Sequence, residues 1–282
     1  VAQYFSLSIF HRFLGAVSRT LSPEMRARAA QMPVLGHALR FLVARFSPAE
    51  RVPVKVQAGL LEGLIMKLNL RLERGLWLGS YETAIQTAII RYLRPGVVVY
   101  DVGGHIGYLS MGMARLVGPS GRVLVFEPLP DNVGRIREQM ALNPSLRVEL
   151  HEFAVSDCSG RAVFSVHASA SMGQLRDMDG RFLSTIEVET VSLDDFVYKH
   201  AMPAPDFIKM DIEGAEALAF PGMLRLLHEK APRILLELHG GAEKPVWETL
   251  QKAGYKLISL ATNEELKEAT FLCYGHYLAE RL

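Results

Sequence analysis

Between Val97 and Gly107 the chain reads Val97-Val98-Val99-Tyr100-Asp101-Val102-Gly103-Gly104-His105-Ile106-Gly107. It is an apolar run closed by a carboxylate and then by glycines, and it restricts the fold more than any other stretch. A short continuous apolar run of this kind reads as a strand buried on both faces, the condition of a parallel sheet. The glycines supply a tight turn, and Tyr108 to Val117 continues as a helix. A helix entered from such a turn offers unpaired N–H groups to a carboxylate or phosphate. These features open a nucleotide-binding α/β unit.

The glycine spacing decides between ligands. The dinucleotide fingerprint G-x-G-x-x-G needs a glycine where this chain has His105, so NAD is disfavoured. A second apolar run, Arg122-Val123-Leu124-Val125-Phe126, ends in Glu127, which a parallel sheet would bring to the tip of the neighbouring strand. A carboxylate there can accept hydrogen bonds from both hydroxyls of a ribose. Asp-x-Gly at one strand tip with an acidic residue at the next resembles the way S-adenosylmethionine (SAM) is held in the class I methyltransferase fold.

The remaining periodicities give the architecture. Val52 to Gln57 and Leu64 to Leu70 alternate apolar and polar around Gly59 and Gly63, as a β-hairpin does, and Pro53 suits an edge or a strand start. A helix through Ile85, Ala88, Ile89 and Tyr92 stops at Pro95-Gly96. Pro128 to Asn143 reads as a helix and Arg147 to Ala154 as the third strand. Arg161 to His167 and Thr185 to Leu193 are β-rich runs around a polar loop from Ala168 to Gly180. Phe207 to Met210 is the fourth strand, Ile234 to Leu238 the fifth, Val246 to Ala253 a helix, and Lys256 to Leu260 and Thr270 to Tyr274 two last β runs. The expected fold is α/β: a doubly wound, mostly parallel seven-stranded sheet carrying a helical and β-hairpin extension. The extension covers 1–78 and the catalytic domain 79–282.

Charge and cysteine content narrow the setting. Residues 1–60 hold eight Lys/Arg against Glu24 and Glu50, a net +6, and the rest of the chain is −5. Phe5, Ile9, Phe13 and Val17 fall four apart, and Val34, Leu35, Ala38, Leu39, Leu42, Val43 and Phe46 form a second stripe, so two amphipathic helices are expected. Their cover is the chain's own domain or a second copy in a homodimer; contact of residues 1–50 with a membrane surface is the competing expectation. The negative body lacks a basic stripe with interleaved aromatics, which argues against nucleic acid. Only Cys158 and Cys273 are present, with no C-x-x-C pattern, so a cytoplasmic setting fits best. Residues 1–17 are interrupted by His11 and Arg12 and make a poor signal peptide, and no uncharged stretch approaches the roughly 18 to 20 residues that span a bilayer.

In such sheets ligands bind outside the carboxyl ends of the strands, where strand order reverses. Asp101, Glu127, the Phe153-Ala154 region, Asp211 and Glu237 would crowd that edge, a set suited to a cationic ligand. In order, Tyr100-Asp101-Val102-Gly103-Gly104-His105-Ile106-Gly107, Phe126-Glu127-Pro128-Leu129-Pro130-Asp131-Asn132, Ala154-Val155-Ser156-Asp157 and Ile208-Lys209-Met210-Asp211-Ile212-Glu213-Gly214-Ala215-Glu216 closely resemble the motifs of the FkbM family of SAM-dependent methyltransferases. The resemblance runs from about Gly79 to Tyr274. It implies SAM binding by Asp101, Gly103, Gly104, His105, Gly107 and Glu127, with Phe153 and Ala154 near adenine. Where the family's turn usually has Asn, this chain has His105. The resemblance further implies O-methylation of sugars and hydroxylated natural products, a small-molecule acceptor.

Methyl transfer to an alcohol needs in-line approach to the sulfonium methyl and removal of the hydroxyl proton. The candidate bases at the acceptor edge are His239, Glu213 and Asp211. A divalent metal held by some of Asp211, Glu213, Glu237 and His239 is the less favoured arrangement. The competing functional classes are an NAD-dependent oxidoreductase and a non-catalytic SAM-binding or scaffold protein.

Overall fold

The computed structural model describes residues 49–167, 173–174, 182–239, 242–268 and 275–281. The two expected N-terminal stripes and the expected strand Thr270 to Tyr274 lie outside these residues, as does the 168–180 loop apart from 173–174. The chain divides into two compact units, Val1–Arg91 with Glu138–Pro144 and Tyr92–Arg137 with Ser145–Leu282. The first boundary falls between Arg91 and Tyr92, at the last residue of a helix. No helix among the described residues is long and apolar enough to cross a membrane.

The first unit contains the expected hairpin. Strands β1 (Val52–Lys55) and β2 (Ile65–Leu68) pair antiparallel from Val52 opposite Leu68 to Lys55 opposite Ile65. Two helices follow, α1 (Arg74–Leu78) and α2 (Thr83–Tyr92). The buried amide of Gln86 on α2 joins them to the hairpin loop, accepting from Leu60 N–H at 2.7 Å and donating to the carbonyls of Gly79 and Tyr81. The free edge of β2 is capped by side chains from Glu138–Pro144. Asn143 accepts from Ile65 N–H at 3.2 Å and donates to Ile65 O at 2.7 Å, and Gln139 accepts from Lys67 N–H at 2.9 Å. Edge groups that would otherwise template pairing with another chain are thereby satisfied.

In the second unit the apolar runs become β3 (Val98–Val102), β4 (Arg122–Phe126), β5 (Val148–His151), β6 (Ala154–Val155), β7 (Gly160–His167), β8 (Gly173–Gln174), β9 (Phe182–Val191), β10 (Phe207–Met210), β11 (Arg233–Leu238), β12 (Tyr255–Ser259), β13 (Glu265–Leu266) and β14 (Gly275–Arg281). The intervening helices are α3 (Tyr108–Val117), α4 (Pro130–Leu142, from Glu138 on part of the first unit), α5 (Leu193–Tyr198), α6 (Glu216–Ala219), α7 (Leu224–Glu229) and α8 (Glu243–Lys252). The main sheet runs β13-β12-β14-β11-β10-β3-β4-β5. Strands β5, β4, β3, β10 and β11 are parallel, and β14 enters antiparallel between β11 and β12. The two-residue β13 makes it eight strands where seven were expected. Strand β3 is the middle one of the five parallel strands. From it the chain winds outward through β4 and β5, then crosses back to β10, so strand order reverses between β3 and β10.

The third strand differs from expectation. Arg147 to Ala154 does not run as one strand: β5 ends at His151, and Ala154 in β6 pairs with Thr190 in a separate four-stranded sheet, β6-β9-β7-β8. Its methyl joins a small apolar cluster with Leu129, Phe164 and Val188. Phe126, Tyr100 and Phe196 pack edge to face or tilted at 4.9 to 5.7 Å between ring centroids within the main core. Such contacts stabilise by about 0.5 to 1.5 kcal/mol each beyond area burial, and they anchor the strands whose tips carry the site.

Candidate functional site

The turn after β3 meets its neighbour closely. Gly103 has φ +83°, and a Cβ there would lie 1.8 Å from the carbonyl oxygen of Asp211, so only glycine lets the tips of β3 and β10 approach. Gly107 at φ +80° is the N-cap of α3, and His105 takes φ +50°. Gly104 is held to the carbonyl of Phe126 at 3.1 Å by its N–H.

Asp101 lies beneath this turn, almost completely buried, accepting from Ser110 Oγ. Burial outweighs the nearby Lys209 cation and the Ser110 bond and holds its carboxyl above the usual carboxylate range. Lys209, itself buried, donates to Gly103 O at 3.0 Å and stands 3.6 Å from Asp101 Oδ1 and 3.5 Å from Asp211 Oδ2. One ammonium thus ties the turn to two strand tips. Glu127, at the tip of β4, accepts from the backbone N–H of His105 at 2.8 Å and of Leu129 at 3.0 Å, one on each oxygen. Burial pushes its carboxyl up to about 7 against these bonds.

A second cluster gathers around the tips of β10 and β11. His239, just past β11, places Nδ1 3.2 Å from Glu216 Oε1 and Nε2 3.4 Å from Glu213 Oε2 and 3.7 Å from Glu237 Oε1. His276 from β14 places Nε2 3.0 Å from the other oxygen of Glu237. Burial alone would lower the His239 pKa, but the Glu216 bond and the charges of Glu216, Glu213 and Asp211 overcome it and carry it up to about 9. Glu213 is raised by burial and by the facing carboxylates, Asp211 first. One atom of each of Asp211, Glu237 and His239 lies within 4.8 Å of the others, a spacing a small cation could span. A metal bound there would have to displace the proton that the surrounding carboxylates favour on the His239 ring.

The donor set fits SAM. Carboxylates crowd the edge at which a sulfonium and an ammonium would sit, and Asp211 Oδ1 is buried without a hydrogen bond from the described residues, free for a ligand N–H or O–H. Asp101, Gly103, Gly104, His105, Gly107 and Glu127 stand together around the β3 and β4 tips, and Asp211, Glu213, Glu237 and His239 around those of β10 and β11. Phe153 stands apart from Ala154, its ring parallel to His151 at 6.5 Å between centroids. Lys209, Glu216 and His276 were not singled out from the sequence. A lysine inside an apolar strand and a second acidic residue three positions after Glu213 were the available signals, whereas His276 meets Glu237 only through the antiparallel register of β14.

Residues 101–257 match the family model described as Methyltransferase FkbM domain. The chain is 30% identical over 184 residues to 2-O-methyltransferase NoeI of Sinorhizobium fredii, covering 58% of this chain and 74% of that one. It is 28% identical over 158 residues to hexuronic acid methyltransferase AglP of Haloferax volcanii, covering 55% of this chain and 62% of AglP. It is 27% identical over 198 residues to 31-O-demethyl-FK506 methyltransferase FkbM of Streptomyces tacrolimicus, covering 59% and 75%. The oxidoreductase and scaffold alternatives give way. The sheet order, the glycine turn and the matched residues make this chain a SAM-dependent methyltransferase, and it belongs to the FkbM family.

Proposed function

We propose that the chain transfers a methyl group from SAM to a hydroxyl group of a sugar, glycolipid or related natural product. The observation that carries this reading is His239 Nε2, set among Asp211, Glu213 and Glu237 at the acceptor edge. The names of NoeI and AglP, a 2-O-methyltransferase and a hexuronic acid methyltransferase, support oxygen as the acceptor atom and a sugar as its carrier.

In this reading Glu127 accepts from the ribose hydroxyls with the lone pairs left by the backbone donors of His105 and Leu129 and the side chain of Asn132. The Gly103 to Gly107 turn lies against the amino-acid end of SAM, and Phe153 offers a ring toward adenine. Bound SAM supplies an electrophilic methyl group, whose transfer to oxygen leaves a neutral thioether. His239 takes the hydroxyl proton on Nε2, and Glu213 and Asp211 orient the hydroxyl and balance the imidazolium that results. A cationic cofactor bound at the same edge would oppose the charged imidazole and lower its pKa from the ligand-free value of about 9. The homodimer and the cytoplasmic setting belong to the same reading, supported by the sequence pattern of residues 1–50 and by a free, exposed Cys158.

The test is incubation with methyl-labelled SAM and a panel of uronic acids, neutral oligosaccharides and glycolipids, analysed for methyl ethers. Label in an ether of one of these classes supports the proposal. Label found on nitrogen or carbon, with none on oxygen, would overturn it.

A further inference from the structure

Glu216 has no place in the reaction as described, yet its surroundings are unusual for a glutamate. Its side chain is completely buried, at the first residue of α6. Oε1 accepts the backbone N–H groups of Ile212 and Gly214, each at 3.3 Å, and lies 3.2 Å from His239 Nδ1. An oxygen engaged with two amide donors acts as an acceptor toward the ring as well, so the hydrogen between them resides on Nδ1. Among the described residues, charged and titratable groups reach His239 from four elements. They are Asp211 and Glu213 after β10, Glu216 on α6, Glu237 on β11, and His276 on β14 through Glu237, with the Lys209 ammonium behind Asp211.

An uncharged imidazole has two tautomers, and only one of them has its lone pair toward the acceptor edge. We propose that Glu216 is a positioning residue, which holds the Nδ1–H of His239 so that the neutral ring presents the Nε2 lone pair beside Glu213 and Glu237. The proposal rests on the reading of His239 as proton acceptor and adds the residue that selects its tautomer. The same oxygen ties Ile212 and Gly214 to the ring, so the loop bearing Glu213 and the imidazole are set by one carboxylate. This is the arrangement by which a second residue fixes a histidine's orientation in other proton-transfer and metal sites.

Nitrogen NMR of histidine-labelled full chain tests it, with the His239 signals assigned by their loss in His239→Gln. Spectra are recorded above the ring titration, near pH 10, where the neutral form prevails given a pKa of about 9. Wild type should show Nδ1 protonated and Nε2 bare. Glu216→Gln, which keeps an oxygen acceptor, should retain that pattern, and Glu216→Ala should mix the tautomers or reverse them. A wild-type ring protonated on Nε2, or an Nδ1–H form unchanged in Glu216→Ala, overturns the proposal. Should Glu216→Ala not fold, Glu216→Leu takes its place at similar volume, and a wild-type Nε2–H signal remains decisive against the proposal. Failure of the proton-acceptor reading looks different: methyl transfer would persist in His239→Ala while the tautomer result stood.

Discussion

His239 sits where two opposing effects on one ring can be separated by experiment. Burial disfavours its charge and three carboxylates favour it, with the balance near 9. A general base works only when neutral, so turnover should rise with pH toward that value and level above it, with the rising limb displaced downward in the SAM-saturated enzyme. A pH–rate profile of wild type checks this, and a rate that falls as pH rises from 7 to 9 would contradict it. Replacing His239 by Ala should lower turnover by about 10² to 10⁴ and leave SAM affinity within about twofold, as rates and calorimetry on the same preparation would show. At this scale Asp101, Glu127, Asp211 and His239 were legible because each ends an apolar run, and the end of a parallel strand is where side chains meet ligand. Lys209 and Glu216 were not. What they do depends on Gly103 O, Asp101 and the His239 ring, groups brought to them by other strands.

The glycine turn is the element on which the cofactor side depends. Gly103→Ala would place a methyl group 1.8 Å from Asp211 O at φ +83°, so the tips of β3 and β10 must separate. We expect a loss of about 1 to 3 kcal/mol for the backbone conformation alone, and more from the displaced strand. Urea unfolding measures it, and a variant as stable as wild type would contradict the packing described for this turn. In the first unit, Asn143→Ala should cost about 1 to 3 kcal/mol by leaving Ile65 N–H and C=O without their side-chain partner. The parallel strands were readable as elements because β3, β4 and β10 are buried along almost their whole length, which leaves runs that are apolar apart from Asp101, Arg122 and Lys209. The break after His151 was not. The residues that leave the main sheet, Ala154 and Val155, are as apolar as those that stay, and the four-stranded sheet that receives them is closed by β9, far along the chain.

For the whole molecule, the +6 charge and two apolar stripes of the first sixty residues predict a homodimer, which light scattering of the full chain should show and deletion of residues 1–50 should abolish. Flotation with anionic liposomes that is salt-sensitive and lost on deletion, with subunit number unchanged, would instead favour a membrane surface. SAM held at the β3 and β4 tips, with Glu127 as acceptor for its ribose, is the arrangement on which the proposed reaction depends. Calorimetric titration of SAM and of NAD into wild type and Glu127→Ala tests it most directly. The carboxyl titrates near 7, and its charged form accepts hydrogen bonds more strongly, so wild-type SAM affinity should increase as pH rises through that value. Wild type should bind SAM and not NAD, and Glu127→Ala should weaken SAM by about tenfold or more, one charge-assisted bond being worth about 1.5 to 3 kcal/mol. Heat from NAD with none from SAM, or a SAM affinity unchanged in Glu127→Ala, would contradict the account.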